Sequence, residues 1–283
     1  MQAIVSASED RFNFESWTEF VQFADSRKLA KGSRNSSRMT DKPLWYGTKT
    51  FEDILPLANS GWPEGTEKVK ELSAKLMDKV TSLVEHQSLQ YDVTGNDFDI
   101  PMVLQGIPEH WFTMQSRIEQ GQGNRVIHIV YNATASSGIS AETITAKGAA
   151  VAALIESLEY AGIRVALNII WRVRGYGSNT YTSNMSVPVK YAEQPLDIDR
   201  LAFALAHPGT LRRLMFAVCE SSEYFVKECN SGYGSIQEPP VSEQGDLYIA
   251  ASMYGEPQWT SEANTVAWIL AELKKQGVHI TGE

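Results

Sequence analysis

The chain has 283 residues, 43 % of them hydrophobic and 21 % charged, with a net charge of −9. That composition suits a folded domain with a sizeable core and excludes wholesale disorder. No apolar run approaches the ~20 residues a membrane helix needs, and the first ten residues lack the basic and apolar regions of a secretory signal, so a cytoplasmic protein is expected.

In chain order, the first expected helix starts at Ser16, which with Glu19 spells a Ser-x-x-Glu capping box ahead of the stripe Trp17, Phe20, Val21 and Ala24. From Arg27 to Lys49 seven basic residues face one acid, a local charge of +6 that leaves −15 for the remainder. Within it, Lys31 to Asp41 is rich in Gly, Ser, Arg and Asn and has no hydrophobic period, which predicts a loop or mobile arm. A short Pro-interrupted helix over Phe51–Ala58 and the turn Gly61–Gly65 precede a long helix expected from Thr66 to Glu85, with Val69, Leu72, Leu76, Val80 and Leu83 on one face. Gln87 to Gln122 reads as an irregular aromatic connection laid over the core.

Arg125 to Tyr131 is an apolar, β-branched strand that ends in the polar loop Asn132–Gly138. A helix from Ala141 to Tyr160, closed by Gly162, and a strand from Arg164 to Trp171 complete a unit that requires parallel pairing. This places the loop at the carboxyl end of a strand, where open α/β sheets bind ligands. A basic, aromatic loop or hairpin follows from Arg172 to Asn184. Val187–Tyr191 is a further short strand, and Ile198–Leu205 and Gly209–Cys219 are helices split by His207-Pro208. Glu220–Gly245 is a polar excursion, and Asp246–Ala251 a third core strand. A helix from Thr260 or Ser261 to Lys275 precedes the edge strand Val278–Ile280. The expected fold is α/β (or α+β): a central, mostly parallel sheet with flanking helices and a helical N-terminal region, and not an OB-fold. Residues 1–122 with the basic arm 27–49 and the α/β core 123–283 are its two parts, or together form one compact domain.

Candidate sites follow from residue types. Single-stranded nucleic acid is held by cations that track phosphates and by aromatic faces that stack on bases. Arg34, Arg38 and Lys42 supply cations beside Trp45 and Tyr46, and Arg172 and Arg174 lie beside Tyr176 and Tyr181. Arg212 and Arg213 sit a turn inside a helix and read as surface arginines, His128 as a core residue, and Cys219 and Cys229 as reduced thiols. No nucleophile–base set and no carboxylate pair stands out, so neither an enzyme nor a metal or other cofactor is expected.

The spacing Asn132-x-Thr134-x-Ser136 resembles the Asp-x-Ser-x-Ser metal loop of von Willebrand A domains, with Asn132 where the family has its carboxylate. The resemblance implies a degenerate adaptor that binds another protein without metal. A second resemblance covers residues 45–175. It rests on Trp45-x-Gly47-Thr-x-Thr-Phe51-Glu-x-x-Leu-x-Leu-Ala58 running into Gly61-Trp-Pro-Glu-Gly65, on Ile100–Pro108, and on Gly138-Ile-Ser-Ala-Glu-Thr-Ile-x-x-Lys-Gly-Ala149. This series resembles a family of tailed-phage proteins, and within it the Drc-like single-stranded-DNA-binding RNA polymerase cofactors of podoviruses that carry a giant virion RNA polymerase. It implies a non-enzymatic, homo-oligomeric bacteriophage protein acting in transcription in the host cytoplasm. Its partners would be single-stranded DNA, bound with little sequence preference, and the phage RNA polymerase that it recruits to melted promoters.

Overall fold

The computed structural model of the chain describes residues 1–77, 79–120, 125–176, 181–229 and 232–280. Strands β1 (Gln2–Val5) and β2 (Glu9–Asn13) lead into α1 (Trp17–Ser26), the short helices α2 (Pro43–Tyr46) and α3 (Ile54–Ser60), and α4 (Pro63–Met77). Then come β3 (Val80–Asp92), β4 (Asp97–Phe98), α5 (Ile100–Leu104) and β5 (Trp111–Gln120). The strand–loop–helix–strand unit is β6 (Val126–Asn132), α6 (Ala141–Tyr160) and β7 (Arg164–Arg174), followed by β8 (Thr182–Lys190). After α7 (Ile198–Ala206), a π-helical stretch from Thr210 to Met215 runs into α8 (Phe216–Glu220) and α9 (Glu223–Glu228). The chain closes with β9 (Ser235–Ile236), β10 (Leu247–Ile249), α10 (Glu262–Lys275) and β11 (Val278–Ile280).

The strands form a mixed sheet in the order β1-β2-β8-β7-β6-β10, with β9 on β7, and a smaller antiparallel sheet β11-β3-β5-β4. The fold is therefore mixed α/β, as expected. β6 is parallel to β7 and β10, the arrangement the unit required. β2 is parallel to β8, so the N-terminal segment is built into the same sheet. Residues on β7 and β8 alternate between buried and half-exposed, which means helices cover one face and leave the other partly open. His128 lies on the open side and is exposed, a correction that the period-2 alternation of β6 explains.

Helix α6 is the centre of the covering layer. Ser140 caps its first turn by accepting the Thr143 amide at 3.1 Å, and Gly162 at φ +80° follows its end. Ala149 to Ile155 are all buried, a run of small and aliphatic side chains that fills the space between sheet and neighbouring helices. Ser16 caps α1 as the sequence predicts, and Trp17 anchors it through an indole bond of 2.8 Å to the Ala58 carbonyl.

Two elements differ from expectation. The helix expected over Thr66–Glu85 stops at Met77, and the chain re-enters as β3 at Val80. Val80, Leu83 and Val84 belong to a β-prone run whose spacing happens to continue the helical stripe. The segment expected to be irregular, Gln87–Gln122, holds the end of β3, β4, α5 and all of β5, and β3 and β5 form a ribbon in register from Leu83 opposite Gln120 to Asp92 opposite Trp111.

Candidate nucleic-acid interface

The sheet changes partner at the carboxyl end of β7. β6 pairs with β7 as far as Asn132 opposite Ile170, and β9 takes over the same strand at Val173 and Arg174. In the interval the chain after β6 leaves the sheet, and a cleft of ≈ 940 Å³ opens there. Its walls are Ser136 and Ser137 from the loop after β6, Tyr233–Ile236 around β9, and Arg34, Lys42 and Trp45 from the basic segment. Leu211, Arg212 and Phe216 form the floor. This is the crevice position expected for a ligand in an open α/β sheet.

The basic segment is not a loose arm. Arg213 is fully buried and donates to four main-chain carbonyls, those of Ser37 and Met39 at 2.7 Å, Thr48 at 2.9 Å and Lys49 at 3.2 Å. Its guanidinium lies 4.0 Å from the Tyr46 ring centroid. At the far end of the same helical run, buried Glu220 accepts the Ser36 amide at 2.6 Å, the Ser37 hydroxyl and the Tyr233 hydroxyl at 2.5 Å. The segment is thus held from Ser36 to Lys49 by two buried charged groups, neither of which is marked as such by its neighbours in the sequence. The loop has no hydrophobic period because polar bonds, and not apolar burial, hold it.

Arg212 is buried as well, and it donates 2.6 Å bonds to the Trp45 and Ile139 carbonyls while its guanidinium covers the Trp45 ring at 4.1 Å. Burial pulls its pKa down to about 10, so it still carries its charge at neutral pH. Beside it Phe216 and Tyr233 stack at 3.5 Å with planes 9° apart. The expectation of surface arginines is corrected for both Arg212 and Arg213: they sit on a π-helical stretch, a distortion common at functional sites.

Of the residues proposed from the sequence, Arg34, Lys42, Trp45, Tyr46 and Tyr176 meet around this cleft. Arg34 and Lys42 reach solvent, and Tyr176 is 55 % exposed with its hydroxyl 2.9 Å from the Gly234 carbonyl. Tyr46 is mostly sealed beneath Arg213, and its hydroxyl pKa is pushed up by burial. Arg174 is exposed at the end of β7 and does not line the cleft; it shares the parity of Arg172, away from Trp171. Arg38 points away, over the Phe51 ring at 4.2 Å and within 3.4 Å of Glu52.

Arg172 is corrected: it projects from the opposite side of the sheet to Trp171 and is ion-paired with Glu243 at 2.7 Å. Tyr181 is corrected too, being fully buried with its hydroxyl 2.7 Å from Asp10. It shares its parity with buried Ser183, Met185 and Val187, so the alternation of β8 carried that signal. The tip of this hairpin, residues 177–180, lies outside the described residues. Phe216 and Tyr233 escape a sequence reading because nothing local ties the helix after Gly209 or the polar excursion to the cleft.

The Asn132 loop is inward-looking. Asn132 accepts the Thr134 amide at 3.1 Å and hydroxyl at 2.6 Å and donates to the Tyr248 hydroxyl at 3.0 Å, and both Asn132 and Thr134 are buried. Ser136 and Ser137 are the members of the loop's polar run that reach the cleft. Among the described residues no cluster of His, Cys, Asp or Glu could hold a metal ion. No described helix is long and apolar enough to cross a membrane.

No curated protein and no solved structure matches the chain. Residues 6–279 do match the profile of a domain of unknown function, DUF7192, and since that span takes in nearly the whole sheet and both walls of the cleft, the chain belongs to the DUF7192 family.

Proposed function

We propose that this cleft binds single-stranded DNA with little sequence preference, and that the protein acts as a transcription cofactor recruiting a phage RNA polymerase to melted promoters. The observation that carries the binding reading is the cleft's lining. Among the described residues the cleft is lined by Arg34, Lys42 and Arg212 with Trp45, Tyr46, Tyr176, Phe216 and Tyr233 and by no carboxylate, in a chain of net charge −9. An acidic body repels polyanions everywhere except along such a path. Cations there meet phosphates while aromatic faces take unpaired bases, whose stacking is worth ~1–3 kcal/mol each. A concave, aromatic-lined cleft suits unstacked bases, whereas duplex is read by an element that projects into a groove, so a single strand is favoured. The polymerase part of the reading rests on the tailed-phage resemblance.

The competing adaptor reading relies on Asn132, Thr134 and Ser136 as a contact surface. The first two are buried and bonded within their own loop, which leaves it little to present.

Fluorescence anisotropy with labelled single-stranded and duplex oligonucleotides across a salt series tests the proposal. Arg34→Ala with Lys42→Ala should weaken binding and flatten the salt dependence by about 0.7 for each phosphate that is no longer neutralised. Arg38→Ala should leave the slope unchanged, and Tyr176→Ala should cost ~1–3 kcal/mol. Absence of binding at low salt, or equal affinity for duplex, refutes it.

A further inference from the structure

Residues 89–115 form the distal half of the β3–β5 ribbon together with β4 and α5, and none of them is buried. The stretch is nevertheless apolar: Leu89, Tyr91, Val93, Phe98, Leu104 and Met114 are between 38 % and 82 % exposed. Leu89 faces Met114 and Tyr91 faces Phe112 across the ribbon, so these four side chains share one face, while Phe98 sits opposite Trp111 on the other. A ribbon without a core is marginal by itself, and a contiguous exposed apolar surface marks a place where something docks.

Charge selects the occupant. From Leu89 to Gln115 the sequence has Asp92, Asp97, Asp99 and Glu109 and no Lys or Arg, a local charge of −4. Nucleic acid and anionic membrane surfaces are repelled by it. The fitting partner is apolar and cationic, and this chain carries such a surface on its own basic segment. There Lys42 and Lys49 are exposed beside Met39 at 42 % and Leu44 at 89 % exposure, the latter the most exposed apolar side chain of the segment.

We propose that the acidic ribbon tip of one copy docks on the basic segment of a second copy. The two patches differ, so the contact is made twice in a two-fold pair or once per neighbour in a head-to-tail ring. Opposite charges fix the pairing, the apolar side chains are buried between them, and salt loosens the contact. The docked tip shares Lys42 and Met39 with the cleft, so a second copy and a single strand would compete there, but the association itself is read on protein alone.

Sedimentation velocity over a concentration series at low and high salt decides it. Wild type should associate at low salt and dissociate as salt rises. Asp92→Lys with Asp97→Lys and Glu109→Lys should be monomeric, and so should Lys42→Glu with Lys49→Glu. Mixing these two variants should restore association, since the acidic tip of the second meets the unaltered basic segment of the first and the Lys-bearing tip of the first meets the Glu-bearing segment of the second. Asp99 is left intact because it caps α5 through the Met102 amide. Leu44→Asp, at an exposed position that cannot disturb folding, should weaken association in the same way. A wild type that stays monomeric at low salt, or charge-reversed variants that associate like wild type, would overturn the proposal.

Discussion

His207 shows how one side chain couples the basic segment to the body. It is buried between Trp62 at 4.7 Å and Phe203 at 5.0 Å, with its Nδ1 accepting the Gly209 amide at 3.0 Å. Gly47, at φ +79°, passes so close that a side chain there would collide with the imidazole. Burial keeps the ring neutral and pushes its pKa down to about 4, below the ordinary 6.5. The unfolded chain therefore takes up a proton between pH 6.5 and 4 that the folded chain refuses. His207 stabilises the fold fully above pH 6.5, and that stability is lost as pH falls towards 4, by up to about 1.4 kcal/mol per pH unit. Urea unfolding at stepped pH should show this slope, and His207→Asn should remove about one proton from it. Neither His207 nor the two arginines could be placed from sequence, because their partners lie far along the chain, as Arg213 does from Thr48, 165 positions away.

At the scale of elements, the α6–α7 contact depends on an absent side chain. A Cβ on Gly148 would come within 2.1 Å of the Leu205 carbonyl oxygen and 2.3 Å of the Ala206 Cα, both main-chain atoms that cannot step aside. Alanine at this site gains ~1 kcal/mol of helix propensity but overpacks the crossing. Gly148→Ala should therefore be net destabilising by ~1–3 kcal/mol, measured by chemical denaturation; a stabilised variant would show that the helices can part freely. The α6 unit is the most legible part of the sequence, since capping, apolar runs and the closing glycine agree over Ala141–Gly162. The β3–β5 ribbon is the least legible. From Leu89 to Asp92 and from Trp111 to Gln115 its side chains are exposed or half-exposed on both faces, so neither a helical nor a strand period stands out. Only Val80-Thr-Ser-Leu-Val84 hints at where the helix gives way.

Across the whole molecule, the cleft is half readable. Composition identifies the basic segment and the aromatic residues, but not that they meet the β6 loop, because that meeting depends on β9 replacing β6 at the edge of β7. The ribbon tip, in contrast, contributes nothing to the body's core. Asp92 pairs directly with Trp111, so replacing residues 93–110 by Asn-Gly closes a two-residue hairpin in the existing register. The melting transition of that variant should match wild type, by calorimetry under conditions where the protein is monomeric; a large drop would mean that the tip packs on the body.

The clamp at Arg213 has a consequence of another kind. It grips main-chain oxygens, which every amino acid supplies, and the sealed side chains of the segment are few, Ser37, Tyr46 and Thr48 among them. Exposed side chains such as Arg34, Lys42 and Leu44 lie outside that set. Their chemistry can drift, from cationic to neutral or acidic, while the same backbone path is kept. A scaffold of this type can exchange one ligand for another by rewriting a short surface script, and relatives with matching folds need not share a ligand.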